Sequence, residues 1–225
     1  MDQPSPVARQ VWDLPVRLFH WALVILVAFQ AYTGLFGGPK AMVWHGRAGM
    51  AILALVLFRI VWGFIGGRNA RFSQFVRGPA AVIKYLKGVM PAPDGHNPLG
   101  ALSVLALLAV LAVQAGTGLF ANDDILFEGP LFHLVDKELS DSLTGYHYLS
   151  SRALLALVIL HLGAIAFYRM KGKDLIRPMV TGWRQDERPA GNGSGESAVP
   201  AAGSPLKAMI VLALAVAAVA GIVNL

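Results

Sequence analysis

Five long apolar segments constrain the fold of this 225-residue chain more than any other feature of its sequence. They run roughly over residues 16–36, 42–65, 99–120, 146–167 and 208–225. As a helix rising about 1.5 Å per residue, each can cross a hydrocarbon core of about 30 Å. Backbone polar groups in lipid need partners within their own segment, so such segments must be helical. The pattern predicts an all-α membrane protein with five transmembrane helices.

The composition agrees with a membrane location. Hydrophobic residues make up 56% of the chain, charged residues only 14%, and the mean hydropathy is +0.57. A soluble domain has about 25% charged residues. The formal charge of +6 is also typical of nucleic-acid-binding proteins, but lysine and arginine in a membrane protein collect in cytoplasmic loops and face anionic lipid. We therefore expect contact with membrane lipid and no nucleic-acid partner.

The charges of the connecting segments predict the orientation of the chain. Basic residues collect after the second and fourth apolar segments, and acidic residues collect between the third and fourth. The basic residues are Arg68, Arg71, Arg77, Lys84 and Lys87, then Arg169, Lys171, Lys173, Arg177, Arg184 and Arg188; the acidic ones are Asp123, Asp124, Glu128, Asp136, Glu138 and Asp141. Because positive charge is retained inside, we expect a cytoplasmic N-terminus and an acidic loop on the outer side.

A change of composition near residue 184 divides the chain. Residues 1–183 contain the first four segments and are predicted to form a four-helix transmembrane domain. Residues 184–205 are rich in Gly, Ser, Ala and Pro, a composition typical of a flexible linker. Residues 206–225 hold the fifth segment, which has no histidine and is predicted to be an additional, peripheral transmembrane helix that ends outside.

A short internal repeat relates the first and third segments. Residues 30–36 read QAYTGLF and residues 114–120 read QAGTGLF, so six of seven positions match at a spacing of 84 residues. Both copies lie at the outer ends of helices that are predicted to run outward. The repeat therefore predicts two helical hairpins of common architecture, one formed by the first and second segments and one by the third and fourth.

Histidines are the candidate cofactor ligands of this chain. It has no cysteine, which excludes disulfides, iron–sulfur clusters and the covalent attachment of a c-type haem. An ionisable residue in a membrane span is costly and is a functional candidate by default. Four histidines lie in or at the ends of spans, namely His20, His45, His147 and His161. The other two, His96 and His133, lie in connecting segments and are not expected to be ligands.

The four histidines form two pairs by depth. His20 begins the outward-running first helix on the inner side, and His45 begins the inward-running second helix near the outer face. On the fourth helix His147 lies at the outer start, and His161 lies 14 residues further on, about 21 Å deeper and on nearly the same face. We therefore expect His20 to face His161 and His45 to face His147. Facing imidazoles at two levels can hold two b haems, with both axial positions of each iron filled.

The two pairs each join one hairpin to the other. Arg59 stands in the second helix where the fourth has His161, so each hairpin keeps a different inner histidine. The inner haem is then expected between helices one and four and the outer haem between helices two and four. A lone histidine in a membrane helix is often a packing residue, and a transporter with a His and Arg proton relay is the alternative from another class. The b-type bands of a redox difference spectrum distinguish these classes.

Arginines and glycines near the histidines are candidate haem contacts. Arginine is the preferred partner of carboxylates such as haem propionates in partly buried sites. The candidates are Arg17, Arg47, Arg59 and Arg152. Arg47 and Arg152 are favoured, since they follow the outer histidines on the side where positive charge is unusual, whereas Arg17 has the alternative of reaching the headgroups. The glycines Gly34, Gly46, Gly49, Gly116 and Gly118 allow either the approach of a flat macrocycle or ordinary helix packing.

A set of short motifs extends over about residues 11 to 183. They are VWDLPVRLFHW at 11–21, His45-Gly46, FRIVWG at 58–63, Arg71-Phe72, Gly78-Pro79, GHNP at 95–98, Asp123-Asp124, FEGP at 127–130, His161, RPM at 177–179 and Thr181-Gly182. Together they resemble the bacterial cytochrome b561 and nickel–iron hydrogenase b-type cytochrome family. The resemblance implies a four-helix membrane core with two b haems. The ligands come from the first, second and fourth helices, and they match His20, His45, His147 and His161.

The resemblance also implies a function. Such proteins pass electrons across the bacterial cytoplasmic (inner) membrane between quinone or quinol and a partner redox protein, for example a c-type cytochrome or an oxidoreductase subunit. This predicts an electron-transfer protein, with quinone oxidoreductase activity left open. The alternative within this class is the membrane-anchoring cytochrome b subunit of a hydrogenase or a similar complex. The fifth helix departs from the four-helix pattern.

Overall fold

The computed structural model describes residues 7–89, 95–125, 127–186 and 203–225. Its elements, in chain order, are β1 (Val7–Gln10), α1 (Leu14–Phe36), α2 (Pro39–Ile65), α3 (Phe72–Phe75), α4 (Pro79–Leu86), α5 (Pro98–Gly118), α6 (Lys137–Met170), α7 (Ile176–Thr181), β2 (Trp183–Asp186) and α8 (Pro205–Ile222). Two short 3₁₀ helices lie at Arg68–Ala70 and Phe132–Leu134. Five of these described helices, α1, α2, α5, α6 and α8, are long and apolar enough to cross a membrane. The predicted all-α membrane fold is confirmed.

The helix α6 begins nine residues before the predicted apolar segment. Asp136 caps its start, since a carboxylate oxygen accepts the backbone N–H of Leu139 over 2.8 Å. One turn later the hydroxyl of Ser140 donates to the carbonyl of Phe120 over 2.6 Å, which ties the added turns to the end of α5. With 34 residues, α6 is about 51 Å long and extends beyond the hydrocarbon core. Hydropathy detects only the part of a helix that lies in lipid.

The helix α2 lies at the centre of the bundle. It packs against α1, α5 and α8, while α5 and α6 form the second hairpin. By contrast, α5 is the one described element with which α6 makes extensive contacts. The buried residues of α6 are Ser140 and Ser150 alone, and neither is apolar. The side of α6 that faces α1 and α2 is therefore loosely packed, and this is the side that carries the histidines.

The two ends of the four-helix unit meet at the end of the bundle where α1 begins. The strand β1 pairs antiparallel with β2, with Gln10 opposite Trp183. The backbone N–H of Val11 then donates to the carbonyl of Gly182 over 2.8 Å. Gly182 has φ of 90°, a conformation that favours glycine. Residues 183–186, at the start of the predicted linker, thus form a strand, while residues 187–202 lie outside the described part of the chain.

The fifth transmembrane helix packs on the other four rather than standing apart. A stripe on α8, formed by Ala208, Val211, Ala215 and Val219, is buried, and three of these residues join Phe58 and Trp62 of α2 in one core cluster. The chain enters α8 beside the end of α2. The backbone N–H of Gly203 donates over 3.3 Å to Asp13, and the same carboxylate oxygen accepts the indole N–H of Trp62 near the end of α2. It follows that α8 runs in the direction opposite to α2, as expected for a fifth span.

Candidate haem-binding sites

The structure brings His45 of α2 and His147 of α6 face to face. Their ring centroids are 6.2 Å apart and their planes are inclined by 73°. A metal–imidazole bond is about 2 Å long, and with about 1 Å from each nitrogen to its ring centroid, two imidazoles on one metal ion lie roughly 6 Å apart. The separation of these two side chains therefore fits two axial ligands of one iron.

The hydrogen bonds of Thr33 fix the tautomer of His45. The hydroxyl of Thr33 donates its proton within α1 to the carbonyl of Phe29 over 2.9 Å. It has no second proton, so toward the Nδ1 of His45, also at 2.9 Å, it acts as the acceptor. His45 therefore carries its proton on Nδ1 and keeps a lone pair on Nε2. Such a bond from the second ring nitrogen is the usual support of a metal-binding histidine.

His147 is held in the same tautomer by a different acceptor. Its Nδ1 lies 2.9 Å from the backbone carbonyl of Gln114, which can only accept. The lone pair on Nε2 accepts a hydrogen bond from the side-chain N–H of Gln114, also over 2.9 Å. The hydroxyl of Ser150 donates to the side-chain oxygen of Gln114 and so orients the amide. Both histidines of the outer pair thus present Nε2 as the basic nitrogen.

The internal repeat supplies matching contacts to the two outer histidines. Thr33 and Thr117 occupy the same position in the repeat, and Thr117 lies 3.4 Å from the Nδ1 of His147. A Cβ atom on Gly34 would lie 3.2 Å from the Cε1 of His45, and one on Gly118 would lie 3.0 Å from the Cε1 of His147. These distances are too tight for an alanine without movement of the rings. The Thr-Gly dipeptide of each copy therefore seats one imidazole.

The other three glycines differ from one another. A Cβ on Gly46 would meet the ring of Phe127 at 3.2 Å, and one on Gly49 would meet the amide nitrogen of Gln30 at 3.0 Å. Gly116 has nothing within 4 Å of such an atom. Gly34 and Gly118 thus leave room for ligand side chains, while Gly46 and Gly49 serve the packing of a neighbouring side chain.

His20 of α1 and His161 of α6 form the second pair, called the inner pair after its predicted side of the membrane. The two imidazoles are near enough to interact electrostatically. The ring of His20 lies edge-on to Trp21, with centroids 5.2 Å apart. Its Nδ1 is buried and has no hydrogen-bond partner among the described residues. A buried polar atom without a partner is uncommon and marks a place where another group belongs.

His96 lies at the inner end of the bundle, as its connecting segment predicts, but the burial of its side chain was not expected. Its ring lies between Trp12 and Phe75, at centroid distances of 4.6 and 4.4 Å. Burial, together with electrostatic interactions with Arg59 and His161, lowers the pKa of His96 to about 3. The side chain is therefore neutral at physiological pH. The GHNP motif was the one sequence signal for this residue, and hydropathy could not reveal that its loop folds inward.

The four candidate arginines fall into two groups. Arg59 is only 3% exposed and lies over the ring of Phe72 at 5.0 Å, and Arg17 donates to the carbonyl of Val180. Each keeps one buried nitrogen, Arg59 Nη1 and Arg17 Nε, without a partner among the described residues. Arg47 and Arg152 are exposed, and Arg47 lies over Trp44 at 5.0 Å. Arg17 and Arg59 therefore each have a buried nitrogen that is available to donate a hydrogen bond. The side chains of Arg47 and Arg152 are instead on the surface of the protein.

A helical membrane bundle with one facing pair of histidines and a second pair near its other end has the architecture of a b-type cytochrome. His133, by contrast, is exposed in the outer loop. The chain belongs to the prokaryotic cytochrome b561 family, whose sequence profile matches residues 11–182. Membership makes it a multi-pass membrane protein that binds haem b and transfers electrons.

The curated relatives match about four-fifths of the chain. A probable Ni/Fe-hydrogenase B-type cytochrome subunit of Azotobacter chroococcum mcd 1 is 29% identical, in an alignment that covers 81% of this chain and 91% of the relative. A probable Ni/Fe-hydrogenase 1 B-type cytochrome subunit of Escherichia coli (strain K12) is 26% identical, with 79% and 91% covered. A third, from Cupriavidus necator, is 24% identical, with 79% and 87% covered. The similarity thus extends over most of the length of these subunits.

Proposed function

We propose that this chain is a dihaem b-type cytochrome that conducts electrons across the bacterial cytoplasmic membrane, between the quinone pool and a partner redox protein. The observation that carries the proposal is the facing of His45 and His147 at 6.2 Å, with hydrogen bonds at both Nδ1 atoms that favour a lone pair on each Nε2. His20 and His161, which lie near enough to interact electrostatically, are the ligands proposed for the second haem at the inner end. The loose packing between α6 and the helices α1 and α2 leaves space at the same place.

In this proposal α6 supplies one ligand to each haem. His161 with His20 holds the inner haem, and His147 with His45 holds the outer one. The 14 residues between the two ligands of α6 separate the levels by about 21 Å along the helix axis. If His147 held haem iron, Gln114 would have to give up the hydrogen bond that its side-chain amide makes with Nε2 in the structure. Haem iron supplies a one-electron couple, and two histidine ligands leave no position for another ligand.

The arginines are proposed to bind the haem propionates. Arg17 and Arg59 each have a buried nitrogen without a partner near the inner pair, which supports them there. Arg47 and Arg152 follow the outer histidines by two and five residues, and they are proposed for the outer haem. Their exposure places propionates of that haem near the membrane surface.

The orientation and the location are part of the same proposal. The basic segments after α2 and α6 and the acidic loop before α6 support a cytoplasmic N-terminus and an acidic outer surface. The bacterial inner membrane is the proposed location, and the bacterial sources of the relatives support it. Residues 1–183 are proposed to be the haem-binding domain, with α8 as an added helix packed on α2.

The partner is proposed to be a redox enzyme. The relatives are named as hydrogenase B-type cytochrome subunits, so a membrane-anchoring role in a hydrogenase or a similar oxidoreductase is the second candidate. The near-complete coverage of these subunits favours it over an unrelated acceptor. A c-type cytochrome remains the other proposed partner, with quinone or quinol as the exchange partner inside the membrane.

The test uses the full-length protein purified in mild detergent. A pyridine haemochrome assay should give two b haems per chain, and quinol should reduce them. A value near one haem, in protein shown not to lose haem on purification, would contradict the paired arrangement. The absence of b-type bands would favour a transporter. Mass spectrometry of what co-purifies after mild solubilisation separates a hydrogenase-like enzyme from a c-type cytochrome.

A further inference from the structure

We propose that Thr33 is the residue that sets the redox potential of the outer haem, and that Thr117, its equivalent in the repeat, is its weaker counterpart. The inference rests on the dihaem function proposed above. Both threonines act through a histidine and are therefore positioning residues. Both threonines lie in the internal repeat. Neither the hydropathy of the repeat nor the depth of the histidines predicts a role for its threonines.

Thr33 is well placed for this role. It is 3% exposed, and its hydroxyl is fixed on two sides, as a donor to the carbonyl of Phe29 and as an acceptor from His45. It is the hydrogen-bond partner that the structure gives to His45 Nδ1. In a partly buried site of low dielectric such a bond is stronger than in water.

A hydrogen bond from Nδ1 makes the opposite nitrogen of an imidazole more basic. A more basic axial ligand stabilises the oxidised iron and lowers the reduction potential of the haem. Loss of the Thr33 hydroxyl should therefore raise the potential of the outer haem. The inner pair is built differently, since His20 has no partner for its Nδ1 among the described residues.

Thr117 should matter less, although the repeat gives it the same position. The Nδ1 of His147 lies 2.9 Å from the carbonyl of Gln114 and 3.4 Å from the hydroxyl of Thr117. The carbonyl is therefore the principal acceptor, and it stays when Thr117 is replaced. The two copies of the repeat thus share a sequence, but Thr33 should affect the potential of the outer haem more than Thr117. A purely structural role of the motif does not predict this difference.

The experiment compares Thr33→Val, Thr33→Ser and Thr117→Val with the wild-type protein. Valine has a similar volume and no hydroxyl, and serine restores the hydroxyl. Haem content is measured first by pyridine haemochrome, and the two midpoint potentials are then resolved by spectroelectrochemical titration. The component that His45→Ala removes identifies the outer haem.

Thr33→Val should shift the outer midpoint to a more positive value and leave the inner one in place. Thr33→Ser should return it toward wild type, and Thr117→Val should shift it in the same direction by less than half as much. Loss of the outer haem in Thr33→Val but not in Thr33→Ser would also support the role of the hydroxyl.

Three results would overturn the inference in a protein that holds two haems: an unchanged outer midpoint in Thr33→Val, a shift in Thr117→Val as large as that in Thr33→Val, or loss of the outer haem in both Thr33 variants. A wild-type protein without two haems would instead refute the proposed function, so the two failures are distinguishable.

Discussion

The carboxylate of Asp13 accepts the indole N–H of Trp62 over 3.2 Å, although 49 positions separate the two residues. Its other oxygen accepts the backbone N–H of Val16 over 3.0 Å and so caps α1. The backbone N–H of Gly203, just before α8, donates to the same oxygen as Trp62. Asp13 and Trp62 are almost fully buried. One carboxylate therefore ties the start of α1 and the approach to α8 to the inner end of α2.

Asp13→Ala should lower the free energy of unfolding by about 2–4 kcal/mol. Loss of a helix cap costs about 1 kcal/mol, and a buried donor left without its acceptor costs about 1–3 kcal/mol more. The measurement is unfolding of the reconstituted protein by SDS. Asp136→Ala is the matched control, because it removes the exposed cap of α6 alone and should cost about 1 kcal/mol. Equal losses in the two variants would show that the contacts of Asp13 with Trp62 and Gly203 contribute nothing.

His96 predicts an acid sensitivity of the fold. Its pKa falls from an ordinary 6.5 to about 3 because the ring is buried beside Arg59 and His161. Between these values the unfolded chain binds a proton that the folded chain does not, so stability is full above pH 6.5 and falls as the pH decreases. The slope is at most about 1.4 kcal/mol per pH unit, or about 2 kcal/mol between pH 6.5 and 5.

The variant that tests this is His96→Phe, which keeps an aromatic ring between Trp12 and Phe75. It should lose less stability than wild type over pH 6.5 to 5, by up to about 2 kcal/mol. His133→Phe, at an exposed position in the outer loop, should keep the wild-type slope. Identical slopes in His96→Phe and wild type would mean that His96 is already protonated in the folded protein.

The five helices and the two histidine levels could be predicted from the sequence because lipid leaves few choices. Backbone groups in hydrocarbon must pair within the helix, and a histidine there is costly, so hydropathy and helix direction place His45 with His147. The matching threonines of the repeat likewise predicted equivalent hairpins, and Thr33 and Thr117 do contact equivalent histidines.

The inner end of the bundle could not be predicted in the same way. The bonds from Asp13 to Trp62 and Gly203 join residues that lie 49 and 190 positions apart, and the pairing of β1 with β2 closes the whole four-helix unit. Such contacts leave no periodicity in the sequence. The role of Gly34 could not be predicted either. In a sequence, a glycine that makes room for a haem cannot be distinguished from one that makes room for a histidine ring, and Gly34 lies beside the ring of His45.

Removal of single histidines should separate the two haems by helix. His20→Ala and His161→Ala should both lose the inner spectral component, and His45→Ala and His147→Ala should both lose the outer one. His133→Ala should keep both haems. Haem must be measured on protein that remains inserted and monodisperse, because ligand binding also stabilises the fold. Depletion of the same component by His20→Ala and His45→Ala would show that the pairing is wrong.

The glycines that seat the outer histidines should also be needed for full binding of the outer haem. A methyl group on Gly34 would lie 3.2 Å from the ring of His45, and one on Gly118 would lie 3.0 Å from the ring of His147. The imidazoles must then turn or the helices must part, and a small misplacement of a ligand is enough to weaken a metal site. Gly34→Ala and Gly118→Ala should therefore lose at least half of the outer haem while the inner haem stays, as read from the difference spectrum. Gly116→Ala is the control within the same repeat, because a methyl group there meets nothing within 4 Å, and it should retain both haems in full. If Gly116→Ala lost as much outer haem as Gly118→Ala, helix propensity or lipid packing would explain the effect, and the contact with His147 would not.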